Sequence, residues 1–481
     1  MGWRRPVVAM AAGLVAGLVV VISLGLPSAP AGAGDNGDGY RLYCGAGLAP
    51  ATPDGRSNWE GGVVLDFTSG SAPCSDPIAS SALPILRLAT TGAGPVWSLS
   101  RLGFLYALAI AVAAAVAAWA VGPGVRMLVL VPAVVPLAGP TFSRFFVSTF
   151  GEPAGLLGAC VLCLGAGVLA VTDRRLVPER IIGLVLVAGG GLLAATAKTA
   201  YVPLLGMAVL ICAATAVRTA GRERVAGPVV AVVALLLAVA PVLAGVGWQQ
   251  RNYAVVNAHN LVFTVVLPEV GDDALVPLGL PAAAAPFAGR AYFPEGADGY
   301  PGSEVVAARP GEVRSAAYRE LLTHPGAALR AFGTGLEATL GARLDYLPSQ
   351  PLTATTVPPV LGSSVGEQGA DRGRLLAWLD SLPVPWLPAV VALVGVVAGL
   401  LGRTAFTRIA ALGGASAVGL VVVAVLGDGY FEIAKHVWLA AYLLEVAAAA
   451  LVLAAAAALL SRRRSGTWDT APHDRHARRA G

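Results

Sequence analysis

Two carboxylates, Asp35 and Asp38, stand in the run G-D-N-G-D-G-Y-R-L-Y-C from Gly34 to Cys44, a few residues beyond the first apolar segment of the chain. An ionised carboxylate there can take a proton from an incoming hydroxyl or hold a cation, and Gly34, Gly37 and Gly39 leave the backbone open to close approach by something. Charge at a membrane boundary is tolerated where it faces water or a polar cleft. The plainer reading is a solvated turn, since Gly, Asn and Asp build turns readily.

Further ionisable residues fall near the ends of other apolar runs. Arg144 and Glu152 lie within S-R-F-F-V-S-T-F-G-E-P, Lys198 within A-K-T-A-Y, and Arg251 just after a long Ala/Val/Leu run. Asp428, Glu432, Lys435 and His436 share the segment G-D-G-Y-F-E-I-A-K-H. Cations so placed could stabilise a phosphate that gains charge, or only snorkel to ordinary headgroups. Ile181 to Val217 would be roughly 55 Å long as one helix, so it must fold into a hairpin with Lys198 at the turn. Glu445 differs, because it lies inside an apolar run and needs a partner; a structural hydrogen bond to a neighbouring helix is the simplest role.

The elements that position these residues follow from composition. Of 481 residues 56% are hydrophobic and only 13% charged, and the mean hydropathy is +0.72, which excludes a soluble globular protein. The fold class is an all-α polytopic membrane protein. Ten apolar runs are long enough to be considered as spans: Val7 to Leu26, Leu102 to Val121, Met127 to Phe142, Pro153 to Val171, Ile181 to Ala197, Tyr201 to Val217, Pro228 to Gly247, Trp386 to Gly402, Ile409 to Leu426 and Trp438 to Leu460. Met127 to Phe142 is short and carries Pro132, Pro136 and Pro140, so it is expected to kink or break.

Every second connection is basic, from Arg4 and Arg5 through Arg126, Arg174, Arg218 and Arg403 to the tail beginning at Arg462. The positive-inside rule puts that side, with both termini, in the cytoplasm of a cell-membrane protein. The chain then divides into a first span (1–26), a first extracytoplasmic loop with the acidic motif (27–96), spans two to seven (97–247), a large extracytoplasmic loop (248–385), spans eight to ten (386–461) and a basic cytoplasmic tail (462–481). The net charge of +5 is this orientation signal and calls for no nucleic-acid partner. A cleaved signal peptide is the alternative for the first run, given Arg4, Arg5 and the small residues Ser28 to Ala33, although the run is long for that purpose.

Cys44 and Cys74 share the first outer loop, where oxidation is permitted, and are expected to form a disulfide. Cys160, Cys163 and Cys212 lie in spans and read as packing residues. In the second loop Leu261 to Leu267 reads as a short strand, Pro268 to Pro310 shows no period, and helices are expected at Glu312 to Leu322 and from Gly326 to about Leu344. On the latter, Leu329, Phe332, Leu336 and Leu340 form a stripe suited to the loop's own core or to a bilayer surface. Ser363 to Arg374 reads as a polar link back to the membrane.

This layout resembles the GT-C class of integral membrane glycosyltransferases. More narrowly it is similar to the bacterial hexose transferases of S-layer and cell-wall gene sets, through G-D-N-G-D-G-Y-R at Gly34, F-G-E-P-A at Phe150, N-L-V-F-T-V-V-L-P at Asn260, L-G-L-P at Leu278, D-Y-L-P at Asp345 and G-D-G-Y-F-E-I-A-K-H at Gly427. The resemblance implies transfer of a hexose from a polyprenyl-phosphate-linked donor to an extracytoplasmic glycan or lipid-linked acceptor, with an acid of the first outer loop as base. Asp35 or Asp38 fits that role, Asp35 being nearer the membrane. Arg41, Arg144, Glu152, Lys198, Arg251, Lys435 and His436 are the candidate substrate contacts. The phosphate is already a good leaving group, so one base suffices, the anomeric centre inverts, and nothing demands a metal, though the acids could share a divalent cation. A C-terminal soluble domain of some members is not expected, which leaves acceptor recognition to the two outer loops. The rival classes are a transporter or flippase of a lipid-linked glycan, and a non-catalytic glycan-binding scaffold.

Overall fold

The computed structural model describes residues 3–35, 37–52, 62–71, 74–92, 94–217, 225–292, 300–344, 346–352 and 384–466, the side chains of 462–466 excepted. Among these, seven helices are long and apolar enough to cross a membrane, and up to eight if one bent pair counts as a single span. The molecule is a multi-pass, mostly helical membrane protein. In chain order the main helices are α1 (Arg4–Ser23), α2 (Tyr40–Gly45), α3 (Ala82–Thr90), α4 (Ser100–Val121), α5 (Glu152–Val171), α6 (Val177–Ala197), α7 (Val202–Ala214) and α8 (Ala226–Asn260). They continue as α9 (Ser303–Ala308), α10 (Pro310–Thr323), α11 (Pro325–Glu337), α12 (Leu387–Leu401), α13 (Ala405–Asp428), α14 (Ile433–His436) and α15 (Trp438–Gly466).

All ten apolar runs are largely helical, but not all are continuous helices of full-span length. The proline-rich run splits into Val125–Ala138 and Pro140–Phe146, bent by 71°. Gly139 at the break is extended, and Pro140 restricts the residue before it in just this way. Thr199–Ala214 and Leu387–Leu401 are apolar helices too short to meet the length of a full span.

The bundle is built on close helix contact rather than on large interlocking side chains. Along α5 and α6, a Cβ on Gly158 would lie 2.6 Å from the backbone nitrogen of Ala194, and one on Gly190 would lie 2.5 Å from that of Leu162. Small residues facing one another let two backbones approach where lipid offers no hydrophobic drive for association. This makes α5 the central rod, buried over most of its length, with Glu152 at one end and Val171 at the other.

The two long connections gather at the Glu152 end. The first carries a feature the sequence does not announce, a three-stranded antiparallel sheet of β1 (Leu48–Pro50), β2 (Asp66–Ser69) and β3 (Val96–Ser98). Phe67 pairs with Trp97 in register and both are buried. Strands of three or four residues are too short to show a period-two pattern. A disulfide joins Cys44 to Cys74 with the Cα atoms 5.3 Å apart, whereas Cys160, Cys163 and Cys212 are free and buried.

The second connection departs from the sequence expectation in three places. Leu261 to Leu267 is not a strand: α8 runs on into a π-helix, Leu261–Val266, whose residues are all buried. Its β-branched residues suit a strand by themselves, but the helix they extend already satisfies their backbone groups. Short helical turns, not a featureless stretch, fill much of the segment after Leu267. In α11 the face turned inward is Ala327, Ala331 and Gly335, while Leu329 and Leu340 are exposed. A Cβ on Gly335 would lie 2.7 Å from the side chains of Val421 and Val425, so contact with α13 selects small residues; Phe332 and Leu336 pack part-buried against the core, and Leu329 and Leu340 are left outside. Ser363 to Arg374 lies outside the described residues.

Candidate functional site

The acidic turn is placed by its backbone. Gly32 and Gly34 donate to the carbonyls of Ser349 and Pro348 at 3.0 and 2.8 Å, and Ala33 donates to Val147 at 3.2 Å. Asp35 then turns inward, is 8% exposed, and its Oδ1 accepts N–H bonds from Gly37 at 2.8 Å and Gly39 at 2.7 Å. The glycines serve this closure. Gly37 has φ +104°, and a Cβ on Gly39 would meet the Thr149 hydroxyl and lie 2.9 Å from the Asp35 carboxyl carbon. What approaches closely is therefore the chain's own carboxylate. Burial pushes Asp35 above the usual carboxylate range, against the two backbone donors, and the charge of Asp38 adds to the rise.

Asp38 faces the other way, into a cleft, with its side chain 42% exposed. Arg41 Nη1 donates to its Oδ1 at 2.6 Å, and the Lys435 ammonium, 1% exposed, donates to Oδ2. Burial alone would raise Asp38, but the Lys435 charge and hydrogen bond, with Arg41, hold it well below the usual range. Lys435 is raised in turn: burial opposes its charge, and Asp38, Glu432 and Glu152 outweigh burial. It also lies 3.4 Å from Glu432 Oε2 and 5.2 Å from the Phe150 ring centroid. Glu432 holds a left-handed backbone at φ +43°, an uncommon conformation for a non-glycine residue. Outliers of that kind persist where surrounding contacts enforce them.

The cleft encloses about 1020 Å³ of space open to solvent. Asp38, Arg41, Glu152, Lys198, Asp428, Glu432 and His436 line it, with Phe150, Trp248, Tyr253 and Phe431 among its walls. Lys198 Nζ donates to Glu152 Oε1 at 2.8 Å, and His436 Nε2 lies 2.9 Å from Asp428 Oδ2. The Arg41 guanidinium carbon sits 4.7 Å from the Tyr253 ring centroid and 5.8 Å from that of Trp248. Four carboxylates and two permanent cations line the cleft, with Lys435 sealed behind Asp38, so an anion would be held by local contacts and not by net charge. Arg41 and Lys198, with side chains 32% and 29% exposed, are the cations most open to it.

The tertiary structure thus gathers Asp38, Arg41, Glu152, Lys198, Lys435 and His436 and leaves three sequence candidates elsewhere. Asp35 sits behind the turn. Arg144 is fully buried and donates to the carbonyls of Arg343, Leu344 and Leu347 at 2.6 to 3.1 Å, which pins the segment leading to Pro348. Arg251 is on the exterior, 3.1 Å from Asp76. Among the described residues no group of three or more His, Cys, Asp or Glu side chains is placed to hold a metal ion. Glu445 lies on the exposed face of α15.

Gln249, Tyr253, Val256 and Asn257 line the cleft and were not singled out from sequence, although they repeat at the spacing of one helix face. The apolar run ends at Gly247, and the helix continues through the polar residues beyond it. The π-helix adds to this: Thr264 donates to the Asn260 carbonyl at 2.6 Å, Tyr430 N–H donates to the Thr264 hydroxyl at 2.8 Å, and Asn260 Nδ2 donates to Asp428 at 2.8 Å. A widened turn thereby docks the G-D-G segment against α8, a use of π-helix often found at functional sites.

The family model of the YfdI N-terminal transmembrane domain matches residues 4–306, and the chain belongs to that family. No curated protein and no solved structure matches the chain.

Proposed function

We propose that this member of the YfdI N-terminal transmembrane domain family is a glycosyltransferase of the GT-C kind, moving a hexose from a polyprenyl-phosphate carrier to a glycan or lipid-linked acceptor outside the cytoplasm. The observation that carries the reading is the meeting, in one cleft at the Glu152 end of the bundle, of an ionised carboxylate from the acidic turn with two part-exposed cations and an aromatic wall. In this reading the acceptor hydroxyl loses its proton to Asp38 as its oxygen bonds to the anomeric carbon. The bond from that carbon to the phosphate oxygen breaks, its electron pair stays with the polyprenyl phosphate, and the anomeric centre inverts. Lys198 and Arg41 offset the charge that develops on the phosphate. Trp248 and Tyr253 give the sugar ring an apolar face to lie against.

A carboxylate held this low is a weak base, so proton transfer follows bond formation instead of leading it. That order suits a transition state in which the leaving bond is largely broken and charge rests on the sugar ring. Transporters bind near the bilayer midplane, commonly on broken helices. A cleft at the terminus of α5 favours surface chemistry. The test is transfer of labelled hexose from a synthetic polyprenyl-phosphate hexose by the purified protein, with surface-glycan linkages compared between a deletion strain and its complemented counterpart. Absence of label transfer together with unchanged linkages would remove the enzyme reading.

A further inference from the structure

A second cavity lies at the far end of the bundle from the cleft. Its wall includes Leu169 and Thr172 near the end of α5, whose other end, Glu152, lines the cleft. A helix of that length rises roughly 30 Å, about the hydrocarbon thickness of a bilayer, so the two sites belong to opposite leaflets. The far cavity encloses about 1740 Å³ of space open to its surroundings.

Two short helices explain why it exists. The 13 residues of α7 and 15 of α12 rise only about 20 and 23 Å, and both contribute their far ends to the cavity wall. A full-length neighbour would fill that depth; here a recess remains between α7 on one side and α12 and α13 on the other. The wall is apolar, through Met207, Ile211, Val396, Leu400 and Leu412, while Arg174, Arg180 and Arg408 stand at the rim.

The arginines are not equivalent. Arg180 is structural: its guanidinium donates to the carbonyls of Ala216 at 2.9 Å, Leu169 at 3.3 Å and Thr172 at 2.8 Å. Its charge is not cancelled by those dipoles, and Arg174 and Arg408 stand near enough to act on it electrostatically. Among the described residues neither Arg174 nor Arg408 has an ion-pair partner, and the one acid lining the rim, Asp173, accepts a backbone N–H from Arg175 at 2.9 Å. Three guanidiniums thus face one carboxylate over a greasy recess. Such a charge set, at the depth of a headgroup and above a wall fit for an acyl chain, matches an amphiphile with an anionic head.

We propose that this recess is a binding site for an anionic phospholipid of the leaflet opposite the cleft, its phosphate held by Arg174 and Arg408 and one acyl chain lying against Ile211, Leu400 and Leu412. The bound lipid fills the space that α7 and α12 are too short to occupy.

The experiment is native mass spectrometry of the full-length protein released from nanodiscs made of equal parts phosphatidylglycerol and phosphatidylcholine with identical chains. Preferential retention of one phosphatidylglycerol is expected, unaffected by millimolar inorganic phosphate, because the apolar wall contributes. The double variant R174Q/R408Q should lose that preference by roughly tenfold or more, on the scale of two headgroup contacts, while R174K/R408K keeps most of it. R126Q, an exposed arginine at the same end, is the control and should retain lipid as the wild type does. Equal retention of the two lipids, or unchanged retention in R174Q/R408Q with normal thermal melting, would overturn the proposal. Displacement by inorganic phosphate would show an anion site without a lipid and overturn it equally.

Discussion

Lys435 and Asp38 are 397 positions apart in sequence and form an ion pair whose ammonium is sealed in the protein while its carboxylate faces the cleft. The pair assigns separate work to the two acids of the turn. Asp38 is kept ionised and accessible; Asp35 closes the turn from behind.

Replacing Asp38 by Asn should lower turnover on the order of 10²-fold or more, the scale of a lost general base, and should lower the melting temperature as well, because buried Lys435 loses an ionic partner. Asp35→Asn keeps an oxygen for the Gly37 and Gly39 donors and removes a buried charge, so it should retain most activity. Asp35→Ala leaves both donors unmet, at a cost of about 1–3 kcal/mol each, and should lower melting temperature and activity together. Steady-state transfer rates at matched membrane levels decide this, and full activity in Asp38→Asn would sink it.

The ionised state of Asp38 depends on Lys435. Because the folded-state pKa lies below the ordinary value, this carboxylate adds stability above about pH 4 that is lost as pH falls toward the folded value. Lys435→Gln removes the main opposition to burial, so the acid limb of the pH–kcat profile should move up by at least about one pH unit. An acid limb in the same place for both proteins would mean that Asp38 does not govern turnover.

Lys198 faces the cleft while paired with Glu152, so its positive charge should matter to the donor more than to the acceptor. Lys198→Gln is expected to raise KM for the polyprenyl-phosphate sugar about tenfold or more, and Lys198→Arg to restore most of it. If acceptor KM changes instead, the phosphate sits elsewhere.

Gly39→Ala would force a methyl against Asp35 and Thr149 in a backbone that is already closed. A loss of about 1–3 kcal/mol is expected, read as an earlier thermal transition in detergent. A methyl accommodated without loss would show that the turn opens freely.

The orientation proposed for the chain predicts that a phosphatase reporter is active at Gly302 and inactive at Arg464. The opposite pattern would move the cleft to the cytoplasmic side and the lipid recess to the outer leaflet.

Composition and run length by themselves determined that this is a multi-pass helical membrane protein. The physical reason is that a backbone in hydrocarbon must satisfy its own hydrogen bonds within a helix of about 20 apolar residues. The ionisable residues at helix ends were equally visible, because charge cannot be hidden along an apolar run. Their partners were not: Lys435 reaches Asp38, and Arg144 reaches Leu347, across contacts that no local pattern encodes. Asp35 and Asp38 look alike in sequence, and only the bonds from Gly37 and Gly39 turn one inward and leave the other facing the cleft. The apolar boundary at Gly247 likewise concealed that α8 continues, since hydropathy reports where lipid ends and not where a helix does. The continued helix places Tyr253 and Asn257 in the cleft wall, and tertiary contact of Asn260 and Thr264 with the Asp428–Tyr430 turn holds its far end, where it runs on as a π-helix.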